Sequence, residues 1–296
     1  MDPPASTTGT YLRLAVVPAI WGGTFIAGRI LAIAVPPAVG ALLRFIVACM
    51  ALLAAAFLLE KGLPRLDRRQ LLATLALGAT GVLAYNLFFL GALLRMPASR
   101  TSLIVALNPA VTIVAASLLF GERLRPLRWA GVALALLGVW IVLTRGDPLA
   151  AIGDTLGAGE WMMFGAICAW AAYTLIGRSV LKGLTPLAAT TWASLFGTAM
   201  LVPVAAPDLA RVDLSVLTPQ VLAAVAYLGL LGTGLAFVWY YRAVQVLGPS
   251  RTVIFNNLVP VFGAAFGVGL LGETLTASML VGGAVALAGV MLVTRP

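Results

Sequence analysis

The stretch from Ser99 to Thr144 is written twice. Ser99-Arg100-Thr101 returns about 151 positions later as Ser250-Arg251-Thr252, Pro109 as Pro260, Gly121-Glu122 as Gly272-Glu273, Gly131 as Gly282 and Gly138-Val139 as Gly289-Val290. Both copies lie in apolar sequence, so the chain is an apolar unit duplicated once. Apolar runs long enough to span a bilayer, about 20 residues each, fall near 11–31, 38–59, 70–94, 98–120, 126–144, 159–180, 187–206, 219–245, 249–271 and 276–294. Five runs fall in each copy. Five is odd, so the second copy enters the membrane from the opposite side. The expected fold is an all-α integral membrane protein of ten transmembrane helices, built as two inverted five-helix repeats over residues 1–148 and 149–296. Many secondary transporters have this plan, because exchanging the conformations of the two copies opens a central site to each side in turn.

Composition leaves no aqueous alternative. The chain is 61% hydrophobic and 10% charged, against about 25% charged for a soluble domain, and its mean hydropathy is +1.05. The net charge of +9 does not mark a nucleic-acid binder. Its Lys and Arg are scattered singly at the ends of apolar runs and form no basic stripe. Cys49 and Cys168 sit inside apolar runs and read as small buried hydrophobes. With no His in the chain, zinc sites and histidine relays are not expected, and neither a metal nor a cofactor is called for. Residues Met1 to Thr10 are polar without a cleavage site, so the first span is expected to be retained.

Most breaks between runs are short, among them Pro36-Pro37, Met96-Pro97 and Lys182 to Pro186. The longer segment Gly146 to Gly157 is the expected joint between the halves. Lys and Arg concentrate on one side. Lys61, Arg65, Arg68 and Arg69 fall in the second loop and Arg123, Arg125 and Arg128 in the fourth, while Arg29, Arg95, Arg100, Arg145 and Arg211 are spread thinly on the other. The positive-inside rule then places both termini in the cytoplasm.

The earlier runs repeat more faintly. Trp21 to Arg29 reads WGGTFIAGR and Trp170 to Arg178 reads WAAYTLIGR. Pro37 matches Pro186, and Gly78, Gly81 and Phe88-Phe89 match Gly229, Gly232 and Trp239-Tyr240. Further motifs are Arg44-Phe45 in the second run, Tyr85-x-x-Phe88-Phe89-x-Gly91-Ala92 in the third, Leu107-Asn108-Pro109 in the fourth and Phe120-Gly121-Glu122-Arg123-Leu124 at its end. In order and duplication, from about Leu12 to Thr294, these resemble the EamA family of the drug/metabolite transporter superfamily. Within it they most resemble bacterial aromatic amino-acid exporters of the YddG kind. The resemblance implies a transporter and not an enzyme, with a small-molecule substrate and the lipid bilayer as partners.

A transport site needs polar or aromatic groups turned away from lipid. Trp21, Thr24 and Gly28 share one face of the first run, and Trp170, Tyr173 and Gly177 repeat that spacing in the sixth. One reading is two aromatic walls around a planar or hydrophobic substrate; the other is an interfacial aromatic belt. Trp21 lies about ten residues, or roughly 15 Å, into its run, which is midplane depth and favours the walls. Trp129, Trp140 and Trp161, near run ends, read as belt residues. Pro109 removes the helical donor to the Val105 carbonyl and Pro260 that to Asn256. Asn108 stands beside the first break, and Asn256 and Asn257 beside the second. Their amides suit an ammonium and a carboxylate, although asparagines also stitch helices together. Tyr85, Asn86, Phe237 and Tyr240 are candidates to complete the walls, with packing between helices as the competing role. Of Tyr240 and Tyr241, one is expected to point inward.

The spaced glycines Gly131 and Gly138, Gly282 and Gly289, and Gly263 and Gly267 read as close helix contacts. The fifth and tenth runs hold almost nothing polar and read as scaffold or a dimer face; the oligomeric state stays open, with a monomer as one expectation. Arg100 and Arg251, at run starts, read as snorkelling. Arg44 is the one charge well inside a run, a gate at one mouth or a structural charge. Every Asp and Glu falls at a run end or in a loop, Glu160 at the start of the sixth run among them. With no midplane carboxylate or histidine to carry a proton, the transport expected is passive facilitation, with proton-coupled export of other drugs or metabolites as the alternative. An enzyme would need a nucleophile with a base, a metal site or paired carboxylates, and a channel a charged ring or filter. The sequence offers none of these.

Overall fold

Apolar sequence in lipid can satisfy its backbone N–H and C=O groups only along its own helices or in a closed barrel. In the computed structural model the helical solution is taken throughout, and the structure describes residues 7–120, 125–144, 157–180, 183–247 and 254–294. The Gly121 to Leu124 motif, most of the Gly146 to Gly157 joint and Ser250-Arg251-Thr252 lie outside the described residues. Helix α1 is Thr7–Ala34, α2 Pro37–Glu60, α5 Pro126–Leu143, α6 Ala158–Val180, α7 Pro186–Leu209 and α10 Ala277–Val293. The remaining four spans are composite. Helix α3 joins Arg68–Leu77, Gly78–Ala84 and Tyr85–Arg95, and α4 joins Ala98–Ile104, Val105–Leu107 and Asn108–Phe120. Helix α8 joins Pro219–Ala226, Tyr227–Leu235 and Ala236–Leu247, and α9 joins Ile254–Leu258 and Val259–Leu271. Seven described helices are long and apolar enough to cross a membrane, with Phe255–Leu271 and Ala277–Val293 as shorter apolar ones. The ten helices form two inverted five-helix repeats.

Helix starts follow the chemistry of the breaks. Pro37, Pro126, Pro186 and Pro219 open α2, α5, α7 and α8, where a missing N–H costs nothing. Asp67 and Gln70 form a reciprocal capping box on α3, with bonds of 2.8 and 3.0 Å.

The irregular segments recur at corresponding places in the two repeats. Gly78–Ala84 of α3 and Tyr227–Leu235 of α8 are π-helical, and Val105–Leu107 of α4 and Ile254–Leu258 of α9 are 3-10 turns just before Pro109 and Pro260. The 3-10 turn changes the expectation for the proline break. The Val105 carbonyl is not left without a donor, because the Asn108 backbone N–H reaches it by tightening to an i to i+3 bond.

The chain forms two units. The first comprises Met1–Ile26, Pro97–Gly157 and Leu235–Pro296; the second comprises Ala27–Met96 and Ala158–Gly234. In the first unit α5 packs on α10 and α4 on α9. A Cβ at Gly138 would overlap the Ala286 backbone nitrogen, and one at Gly289 that of Ala135. The small-residue face of α5 and α10, a candidate dimer face, is therefore spent on this pairing. A Cβ at Gly263 would likewise strike Ser102, whose hydroxyl donates to the Ser99 carbonyl at 2.8 Å and leans on Pro260 of α9. In the second unit α2 packs on α7 and α3 on α6 and α7. There Gly78 and Gly197 bring two backbones together.

Candidate functional site

In the first unit, Trp21 stands at the middle of α1 with its ring centroid 5.7 Å from Phe237 and 5.2 Å from Tyr240, both of α8. The Tyr240 hydroxyl accepts from Asn256 Nδ2 at 3.5 Å. The cluster thus joins an aromatic wall to the 3-10 turn of α9. Beside the two proline breaks, the side-chain oxygens of Asn108, Asn256 and Asn257 are buried and meet no donor among the described residues. Those acceptors carry no charge and suit an ammonium or amide hydrogen. The Thr24 hydroxyl donates back to the Trp21 carbonyl, within its own helix. The Tyr241 side chain lies outside what the structure describes.

In the second unit, Tyr85 stacks on Phe89, with centroids 5.5 Å apart and planes 10° from parallel. Trp170 approaches Tyr85 to 5.2 Å and Tyr173 to 5.4 Å. Tyr173 is buried against α3 where Gly81 leaves room; a Cβ there would overlap its ring. Asn86 does not line a wall with its amide. Its Nδ2 donates to the carbonyls of Gly81 at 3.2 Å and Val82 at 2.8 Å, satisfying groups loosened by the π segment, while its Oδ1 is buried without a donor among the described residues.

Arg44 of α2 is 7% exposed. Its Nη2 donates to Thr233 Oγ1 at 3.2 Å, and its Cζ lies 5.2 Å from the Phe45 ring centroid. Thr233 in turn donates to the Leu228 carbonyl at 3.1 Å, five residues back in the π segment of α8. Among the described residues no carboxylate pairs with Arg44, and its Nε is buried without an acceptor.

Sequence reasoning passed over Thr233, Phe89 and Glu273. Thr233 was visible as a hydroxyl inside the glycine-rich run GLLGTGL, and Phe89 as half of a quoted aromatic pair. Glu273 accepts the backbone N–H groups of Ala98 at 2.7 Å and Ser99 at 2.8 Å, so it caps α4. Gly272, with φ +66°, ends α9 in the left-handed conformation and turns the chain toward it. The repeated Gly-Glu motif is, in this copy, a stop for one helix and a start for another. Arg100 likewise does more than snorkel, since Nη2 bonds the Leu143 carbonyl at the end of α5 at 3.0 Å, where a cation complements the helix dipole. Glu160 is in the first turn of α6 as expected, yet only 6% exposed.

The sequence profile of the EamA-like transporter family matches residues 9–144 and 157–295. The "Uncharacterized transporter YyaM" of Bacillus subtilis is 29% identical over 66% of this chain and 64% of its own length, which is less than two thirds of that relative. The "Probable terminal-alkyne amino-acid exporter" of Streptantibioticus cattleyicolor is 29% identical over 85% of this chain and 82% of its own. A solved crystal structure superposes with a TM-score of 0.70 at 20% identity, covering 97% of this chain and 98% of that one, and so shares the fold.

Proposed function

Because this chain belongs to the EamA-like transporter family, and so is a multi-pass membrane transporter of a small molecule and not an enzyme, we propose that it exports amino acids with aromatic or other hydrophobic side chains. The repeats at 1–148 and 149–296 exchange conformations, and the bound molecule is offered to each side in turn. One observation carries this reading: among the described residues each unit holds an aromatic cluster, and in the first that cluster is joined to an uncharged amide. Trp21, Phe237 and Tyr240 meet Asn256 in one, and Tyr85, Phe89, Trp170 and Tyr173 gather in the other. Aromatic faces contribute a surface for a planar side chain and a negative quadrupole for an ammonium. The name of the Streptantibioticus cattleyicolor relative supports amino-acid export.

The transport is facilitation down the substrate's own gradient, in a bacterial inner membrane with both termini cytoplasmic. The support is the absence of His and of any midplane Asp or Glu in the sequence, since a proton passenger needs a group that titrates between the two facing states. A second reading, proton-coupled export, is favoured by the burial of Glu160. Both are tested in liposomes holding the purified protein. Radiolabelled phenylalanine or tryptophan flux unaltered by an imposed pH gradient or a protonophore supports the facilitator. Uphill accumulation driven by a pH gradient alone, and lost in Glu160→Gln, establishes the second. No flux of any hydrophobic amino acid would remove the substrate assignment.

A further inference from the structure

We propose that Arg44, oriented by Thr233, binds the carboxylate of the transported molecule, so that the substrate class is narrowed from hydrophobic metabolites to those carrying a carboxylate beside an aromatic or apolar body. The proposal rests on the transporter reading above and adds to it the group that recognises one end of the substrate.

The starting point is the state of the guanidinium. A buried charge is costly unless it is paired or hydrogen-bonded. Arg44 sits well inside α2 at 7% exposure, and among the described residues no Asp or Glu neutralises it. Of its five N–H donors, one is engaged by Thr233 at 3.2 Å, and the Nε–H is buried without an acceptor among the described residues. The aromatic neighbour Phe45 offsets the charge only weakly, with Cζ 5.2 Å from its centroid.

A carboxylate fits what is missing. It accepts two parallel bonds from a guanidinium edge, supplies the opposite charge, and does so more strongly than a neutral acceptor. The hydroxyl of Thr233 is fixed for the purpose. It gives its own hydrogen to the Leu228 carbonyl at 3.1 Å, so it meets Arg44 as an acceptor and holds the plane of the guanidinium. Helix α2, which carries Arg44, packs on the Tyr85–Arg95 part of α3, and a phenol hydroxyl such as that of Tyr85 is a further donor to an anion. Tyr85 also begins the aromatic cluster, stacked on Phe89 and packed against Trp170. Charge and apolar surface thus occur side by side in the same unit, as they do in an aromatic amino acid or an arylalkanoate.

The test is binding by titration calorimetry to the purified full-length protein in detergent, alongside flux in liposomes. The probes are phenylalanine, 3-phenylpropionate (carboxylate without ammonium), 2-phenylethylamine (ammonium without carboxylate) and inorganic phosphate. Arg44→Gln is expected to weaken phenylalanine and 3-phenylpropionate by about tenfold or more, the scale of lost charge-assisted bonds, and to leave 2-phenylethylamine unchanged. Arg44→Lys, which keeps the charge and loses the fork, and Thr233→Val, which frees the guanidinium, should each weaken the two carboxylates by a smaller factor. They carry the test if Arg44→Gln does not fold. The proposal is overturned if a folded Arg44 variant binds both carboxylates as the parent does, if carboxylates and amine weaken together, or if phosphate binds as tightly as 3-phenylpropionate. Its failure is separable from that of the amino-acid reading. Phenylalanine flux that persists in Arg44→Lys at the parent level removes the carboxylate site alone. Arg44-dependent binding of 3-phenylpropionate without any phenylalanine flux removes the amino-acid assignment alone.

Discussion

The Glu273 carboxylate accepts the Ser99 backbone N–H at 2.8 Å, from a position 174 residues further along the chain. With the bond to Ala98 at 2.7 Å it satisfies two donors that the first turn of α4 cannot pair within the helix. Glu273→Ala leaves both without that partner and should cost about 1–3 kcal/mol. Glu273→Gln retains an acceptor and should cost less. Thermal unfolding of the detergent-solubilised protein orders the three proteins, and equal melting temperatures would sink the capping role.

Two glycines predict opposite signs. A Cβ at Gly138 runs into the backbone of α10, whereas no atom of the described residues lies within 4 Å of one at Gly269. Gly138→Ala should therefore force α5 and α10 apart and lower folded yield. Gly269→Ala should be tolerated, or stabilise by about 0.5–1 kcal/mol through the better helix propensity of alanine. Monodisperse yield and melting temperature distinguish them.

Trp21→Ala removes the ring that meets Phe237 and Tyr240, and Trp170→Ala the ring that meets Tyr85 and Tyr173. Each should abolish amino-acid flux while the protein still inserts and purifies normally. Phenylalanine at either position should restore part of it. If both alanine variants transport at the parent rate, neither cluster touches the substrate.

Sidedness follows from the distribution of Lys and Arg. In a background lacking Cys49 and Cys168, a cysteine at Arg125 should react with an impermeant maleimide only from the cytoplasm. One at Thr274 should react only from outside. Labelling of both from one side contradicts the inverted arrangement.

What the sequence disclosed was the set of features that repeat or punctuate. Pro37 and Pro186 start helices where they were expected to, and the glycine pairs of α5 and α10 meet as close contacts. The pairing of the aromatic residues was legible only in part. Tyr85, Phe237 and Tyr240 stood as candidates beside Trp21 and Trp170, and the structure gives Trp21 to α8 and Trp170 to α3, equivalent pairings under the repeat. Nothing in the sequence assigned each tryptophan to its partner. In lipid nearly every face of a span is apolar, so periodicity does not say which faces meet. The π segments were hidden for a related reason: Asn86 and Thr233 stabilise them through bonds to carbonyls five residues back, a spacing that no apolar pattern marks. Glu273 read only as a carboxylate at the end of a run, because its partner, α4, is distant in sequence.

Each unit takes segments from both copies of the duplication, the first closing only with Leu235–Pro296 and the second with Ala158–Gly234. Neither can be completed while only the first copy has left the ribosome. The early spans must wait in the bilayer for partners not yet made, and assembly is a late event of synthesis. By the same logic a single copy expressed alone cannot build either unit from its own residues. It would have to borrow the missing helices from a second molecule, so an ancestor of half this length is expected to have worked as a pair, and the two halves co-expressed as separate chains should restore one another.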